Sequence, residues 1–274
     1  MSLIPRSNKI ISEIKKNKIN VLIFSFIIFL CYCSLSIGQS WDEAFHLNQG
    51  KIVLNYFFSL GKINAGENIH QTEYYSPIYW TLQYFITLIF PLQFKFEVAH
   101  LVNLLFSIST VIAFKQLGHQ LFNKKVGIIF CTLLIFYPVF FGHMSINSKD
   151  TILAFCHVWF FYLVIKYLKK QNKDLLSIKY LVLLSLVLAM GTGIQLMFIG
   201  SLIPVIIFCI FDILWFKKLT NKNFIIKKFL IDFIIIFLLT YTFLIIFWID
   251  AHQNIFLLPG KFFIEFIKKE EIIS

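Results

Sequence analysis

Charged residues are scarce in this chain. Only 14% of its 274 residues are Asp, Glu, Lys or Arg, against about 25% in an ordinary soluble domain. That scarcity excludes a soluble globular fold. Arginine is almost missing, Arg6 being the sole example, so the net charge of +11 is carried by lysine. The lysines lie in short loops between apolar runs, which argues for membrane topology and against a nucleic-acid partner. The five cysteines (Cys31, Cys33, Cys131, Cys156 and Cys209) fall within or at the ends of apolar runs. Their spacing makes neither a disulfide framework nor a zinc site. No linker or low-complexity tract divides the chain, so residues 1–274 read as one transmembrane domain.

What fills the space is apolar. Hydrophobic residues make up 58%, with 34 phenylalanines, and mean hydropathy is +0.78. They cluster in runs at 19–37, 78–92, 98–117, 126–142, 151–168, 180–192, 194–215 and 229–249. About 20 helical residues cross about 30 Å of hydrocarbon, so the expectation is an all-α, polytopic helical bundle. The first run follows a basic stretch. It is long for a signal peptide and lacks a small-residue cleavage site, which favours a retained span.

The lysines set the topology. Run 78–92 is short and begins after Pro77. If it does not cross, the N-terminal tail and segments 115–125, 166–179 and 217–228 share one side with 18 of the 25 basic residues. If it crosses, 13 of these change sides and the positive-inside bias is lost. The prediction is therefore about seven spans in the inner (plasma) membrane, with the N-terminus cytoplasmic. The outer loop 38–96 would carry interfacial helices, one over 45–60 and one over 78–92, and 250–274 would be an outer segment. Gly191-Thr192-Gly193 is expected to form a tight outer turn.

Ten of the 14 acidic residues fall on the outer side. Carboxylates where a span meets the interface are functional candidates. In Trp41-Asp42-Glu43-Ala44-Phe45-His46, a helix beginning near Asp42 places Asp42, Glu43 and His46 as i,i+3 and i,i+4 neighbours. Two carboxylates and an imidazole suit a divalent cation, with Asp42 and His46 as ligands, or a positioned base. The plainer reading is a helix N-cap. A second segment, Phe141-Gly142-His143-Met144-Ser145-Ile146-Asn147-Ser148-Lys149-Asp150, sets a lysine beside a carboxylate, as an anionic ligand would require; a snorkelling Lys and a capping Asp are the alternative. A third, Tyr74-Tyr75-Ser76-Pro77-Ile78-Tyr79-Trp80, fits an aromatic wall beside a sugar or headgroup, or an interface belt.

In this order the three segments resemble the GT-C membrane glycosyltransferases, and more narrowly their protein O-mannosyltransferase and aminoarabinose-transferase-like branch, the phospholipid-carrier-dependent glycosyltransferases. The resemblance covers roughly residues 40 to 215, and its specific part is "WDEAFH" with "FGHMSINSKD". It implies transfer of a sugar from a polyprenyl-phosphate carrier to a lipid, glycan or protein acceptor on the outer face. Asp42 would be the general base, with Glu43 and Asp150 in the catalytic set. His46, Tyr75, His143, Asn147 and Lys149 would bind substrate, His143 and Lys149 near the phosphate.

The chain departs from the family at Gly191-Thr192-Gly193-Ile194-Gln195, where relatives often carry a basic residue. It is also shorter than most relatives, as expected of a truncated product, a minimal version or a half needing a partner. The rival functions are a non-catalytic GT-C-like membrane protein and, with less in its favour, a transporter or flippase. The latter would need internal repeats, and none is visible.

Overall fold

The computed structural model describes residues 4–62, 76–171, 174–221, 223–261 and 264–265. Among these no strand occurs. Ten α-helices follow in order: α1 (Ile4–Ser36), α2 (Glu43–Phe58), α3 (Ile78–Thr87), α4 (Lys95–Leu121), α5 (Lys124–Phe136), α6 (Pro138–His143), α7 (Asp150–Lys170), α8 (Asp174–Ile194), α9 (Phe198–Phe211) and α10 (Ile226–Phe247). Short connections make sequence neighbours antiparallel. Between α4 and α5, Asn123 caps α5 by accepting from the Lys125 and Val126 amides at 2.9 and 3.0 Å, so the chain reverses at once. Phe114 then stacks on Phe130 across the two helices at 4.7 Å.

The helix ends segregate. At one end Lys169 donates to the Gln120 carbonyl, Asn221 to that of Lys169, and the Ile225 amide to Gln171. At the other, Trp80 donates to the Ser148 carbonyl, Ser76 to that of Leu244, and the Ser76 amide to that of Gly193. The first is the lysine-rich end. The second gathers Trp41-Asp42-Glu43 and the 143–150 loop on the opposite side. The principal core, built on Tyr79, Trp80, Ile152, Phe160, Leu184 and Leu202, joins α3, α7, α8 and α9.

Among the described residues four helical stretches are long and apolar enough to cross a membrane: Leu92–Leu121, Asp150–Lys170, Phe198–Phe216 and Ile226–Phe247. Asn20–Ser36 and Ile178–Ile194 are shorter apolar stretches. The expected span over 126–142 is broken. Tyr137 is extended (ψ 114°) and Pro138 starts a new helix, because a residue before proline is driven from the α region. The 13-residue α5 reaches only about 20 Å. The short run over 78–92 yields the ten-residue α3, about half the length a span needs.

The turn expected at Gly191-Thr192-Gly193 lies elsewhere. Helix α8 continues through Ile194, and the chain turns at 195–197. The glycines serve close approach instead: a Cβ on Gly193 would stand 2.3 Å from the Ser76 carbonyl oxygen, and one on Gly191 2.6 Å from the Phe198 ring.

Helix α2 begins at Glu43, two residues ahead of the expected interfacial helix, and lies on α3 through a buried face of Glu43, His46, Leu47, Gln49, Gly50 and Val53. Gly50 is the point of closest approach. A Cβ there would fall 2.1 Å from the Trp80 carbonyl oxygen, a backbone atom with no room to move. Gly50→Ala should therefore force α2 and α3 apart, at a cost of about 1–3 kcal/mol as in other overpacked cores. A lowered thermal midpoint of the detergent-solubilised protein would register it; an unchanged midpoint would refute the packing described.

Candidate functional site

The site is built on α4. Its apolar run carries a polar stripe, His100, Asn103, Ser107 and Thr110, all buried and spaced to share one helix face. Each of the first three holds a neighbouring element. His100 Nε2 meets Glu43 Oε1 at 2.8 Å, with both side chains at most 2% exposed. His100 Nδ1 meets the Ser34 carbonyl at 3.1 Å. A carbonyl can only accept, so Nδ1 carries a proton, and the close approach of Nε2 to the carboxylate is that of an ion pair. Glu43 Oε2 accepts from the Ser40 amide at 3.1 Å. Both oxygens of Glu43 are thus engaged, and Glu43 fastens the start of α2 to α4 instead of facing the open side of the site.

Asn103 orders the 143–150 loop. Its Nδ2 lies within hydrogen-bond distance of the Met144 and Asn147 carbonyls and of Thr151 Oγ1 (3.1, 3.2 and 3.0 Å). Its Oδ1 accepts from the Tyr79 hydroxyl at 2.9 Å. Ser107 adds a bond to the Met144 carbonyl at 2.8 Å. Within the loop, Asn147 acts as a bracket. Its Oδ1 accepts from the Lys149 and Asp150 amides at 3.1 and 2.8 Å. Its Nδ2 donates to Asp150 Oδ2 at 3.0 Å and to His143 Nδ1 at 3.1 Å. The two amide hydrogens thus serve two acceptors, and with Nδ1 accepting, the N–H of the His143 ring is at Nε2. Asn147 also opens α7, since those amides belong to its unsatisfied first turn.

His46 joins the two acidic segments. It stacks on Trp80 with ring centroids 4.3 Å apart at 11°, and its Nδ1 lies 3.0 Å from Ser148 Oγ. It is 6% exposed. Burial pushes its imidazole from 6.5 down to about 4; Asp42 and Asp150 oppose that drop and Lys149 adds to it. His46, four residues after Asp42, thus meets Ser148, which directly precedes Lys149-Asp150, and the charges of Asp42, Lys149 and Asp150 reach its ring. Asp42 is half-buried and Asp150 exposed. Asp42 occupies the N-cap position of α2, but its side chain makes no capping bond; Oδ1 accepts from the Ser40 hydroxyl at 3.0 Å.

The arrangement brings together Asp42, His46, His143, Asn147, Lys149 and Asp150. Glu43 is held below them. Tyr75, like Tyr74, lies outside the described residues. Sequence reasoning passed over His100, Asn103 and Ser107, although polar residues recurring on one face of an apolar run were the available signal. Among the described residues no three His, Cys, Asp or Glu side chains are grouped as a metal ion would need. Asp42 and His46, possible cation ligands by their spacing, hydrogen-bond to Ser40 and Ser148. No family, no curated protein and no solved structure matches the chain.

Two outcomes follow from the buried groups. Glu43→Ala leaves His100 without its partner and should cost about 3–5 kcal/mol, whereas Glu43→Gln, which keeps a hydrogen-bonding atom there, should cost less; thermal unfolding of both variants compares them. The neutral His46 ring is the folded form, so its stabilisation is complete above pH 6.5 and is lost as pH falls to about 4. The linkage amounts to about 3 kcal/mol. Unfolding midpoints at pH 7.5 and 4.5 should therefore differ more for the wild type than for His46→Asn; equal differences would refute the neutral assignment.

Proposed function

We propose that the protein is a membrane glycosyltransferase that moves a sugar from a polyprenyl-phosphate carrier to an acceptor hydroxyl on the extracytoplasmic face. The carrying observation is that His46 on the Asp42 segment meets Ser148, next to Lys149-Asp150, at 3.0 Å, at the end of the bundle opposite the lysine-rich loops. In this reading Asp42 removes the proton of the acceptor hydroxyl as its oxygen attacks the anomeric carbon. The bond from that carbon to the phosphate oxygen breaks, and the carrier phosphate leaves with the electron pair. Lys149 offsets its charge, with His143 Nε2–H as a nearby donor. Asp150, oriented by Asn147, holds sugar hydroxyls or the acceptor.

The same reading takes the chain through the membrane about seven times. The two shorter apolar stretches and the broken 126–142 segment supply the further crossings, and the N-terminus is cytoplasmic, as the lysine distribution favours. The exposed Trp41 side chain (96% exposed) and short α3 suit a headgroup-level interface.

One observation favours a second reading, a non-catalytic GT-C-like membrane protein: the end of α8, Gly191 to Gln195, offers no cation for a carrier phosphate. The two separate on one assay. Membranes containing the full chain, supplied with radiolabelled polyprenyl-phosphate sugar, should transfer label to lipid, glycan or protein. Asp42→Asn should lower the rate about 100-fold or more, in line with loss of a general base, at unchanged expression. Asp150→Asn should also impair transfer. Full activity in Asp42→Asn sinks the assignment of the base, and absence of transfer by the wild type favours the second reading.

A further inference from the structure

Three of the membrane-length helices leave a cavity of about 180 Å³ at the lysine-rich end, far from His46. Its walls include Leu121 of α4, Phe161 of α7, Val205, Phe208 and Cys209 of α9, and Leu219 beyond it. Every one of these side chains is apolar or a thiol. Phe208 is 51% exposed, so the cavity opens on the outer surface of the bundle, where membrane-length helices meet hydrocarbon. Its wholly apolar lining offers water no hydrogen-bond partner and suits a hydrocarbon segment.

The rim is basic. Lys169 reaches the Gln120 carbonyl at 2.8 Å, beside Leu121. Lys124 and Lys125 follow within a turn, and Lys217 and Lys218 immediately precede Leu219; all four are exposed. Asp212, seven residues before Leu219, is 1% exposed. Its carboxylate accepts from the amides of Lys218, Leu219 and Thr220 and from the Thr220 hydroxyl, so its charge is turned into the fold and away from the rim. A dry hydrocarbon slot beneath a lysine rim matches a molecule with an acyl chain and an anionic head.

We propose that this cavity takes one acyl chain of an anionic glycerophospholipid whose phosphate lies against Lys124, Lys169 and Lys218. The site is independent of the transferase reading, because it lies at the other end of the bundle. Each lysine near a membrane surface strengthens attraction to an anionic lipid severalfold, and together they should give a preference on the order of tenfold or more over a zwitterionic lipid.

The test uses the delipidated full chain in detergent, titrated with dioleoyl phosphatidylglycerol or dioleoyl phosphatidylcholine and read by native mass spectrometry. One retained phosphatidylglycerol is expected at about a tenth or less of the phosphatidylcholine concentration needed. The K124Q/K218Q variant should bring the two lipids level, and Val205→Phe, which fills the slot, should abolish retention of both. Should Val205→Phe fail to fold, phosphatidylglycerol with a diazirine near the end of its acyl chain replaces it on the wild type. Cross-links within 161–165 and 205–209 support the site. Equal retention of the two lipids by the wild type, or cross-links confined to other residues, overturns it.

Discussion

Between closely packed apolar helices a buried polar side chain has no water to bond, and leaving it unpaired costs several kcal/mol. The polar stripe of α4 is where this constraint acts hardest. His100 needs partners on both ring nitrogens and finds them in Glu43 and Ser34. Asn103 finds Tyr79 and three groups of the 144–151 segment. Ser107 finds the Met144 carbonyl. The starts of α2, α3 and α7 are thereby drawn to one face of one helix. The apolar core under them, around Tyr79, Trp80 and Ile152, supplies contact area without specifying which of many similar packings is adopted. The directional bonds of the stripe specify it.

That arrangement divides the acidic and basic residues into two kinds. Glu43 and His46 are buried and position others. Glu43 is committed to His100, and His46 stays neutral between Trp80 and Ser148. Asp42, His143, Lys149 and Asp150 are half-buried or exposed, and Asn147 ties three of them together. An open face carrying carboxylates, a cation and a neutral imidazole, on a scaffold held by buried bonds, is the kind of support an orienting site needs. At the opposite end the buried acids serve the fold: Asp212 gathers the amides after α9, and Asp232 accepts from Tyr167 at 2.6 Å.

The apolar runs determined the helical class by themselves, since hydrophobic length and periodicity are local properties. The lysine distribution likewise pointed to Asp42 and the Lys149-Asp150 pair lying at one end, with the short α3 not carrying the chain across. The shortness of α3 was legible for the same reason: Pro77 and a brief run leave no length to cross.

What only the tertiary structure decided concerns residues distant along the chain. Nothing in local spacing says that His46 stacks on Trp80 and meets Ser148, 102 positions later, or that Glu43 turns to His100 and not to His46. The spacing placed Glu43 and His46 on one helix face, and both do lie on the buried face of α2, but each meets a different element. Gly191 and Gly193 read as a turn because glycine permits one; the close approach of Phe198 and Ser76 uses the same missing Cβ inside a helix. Sequence determines which side chains seek partners, and only the packed helices decide which partners lie within reach.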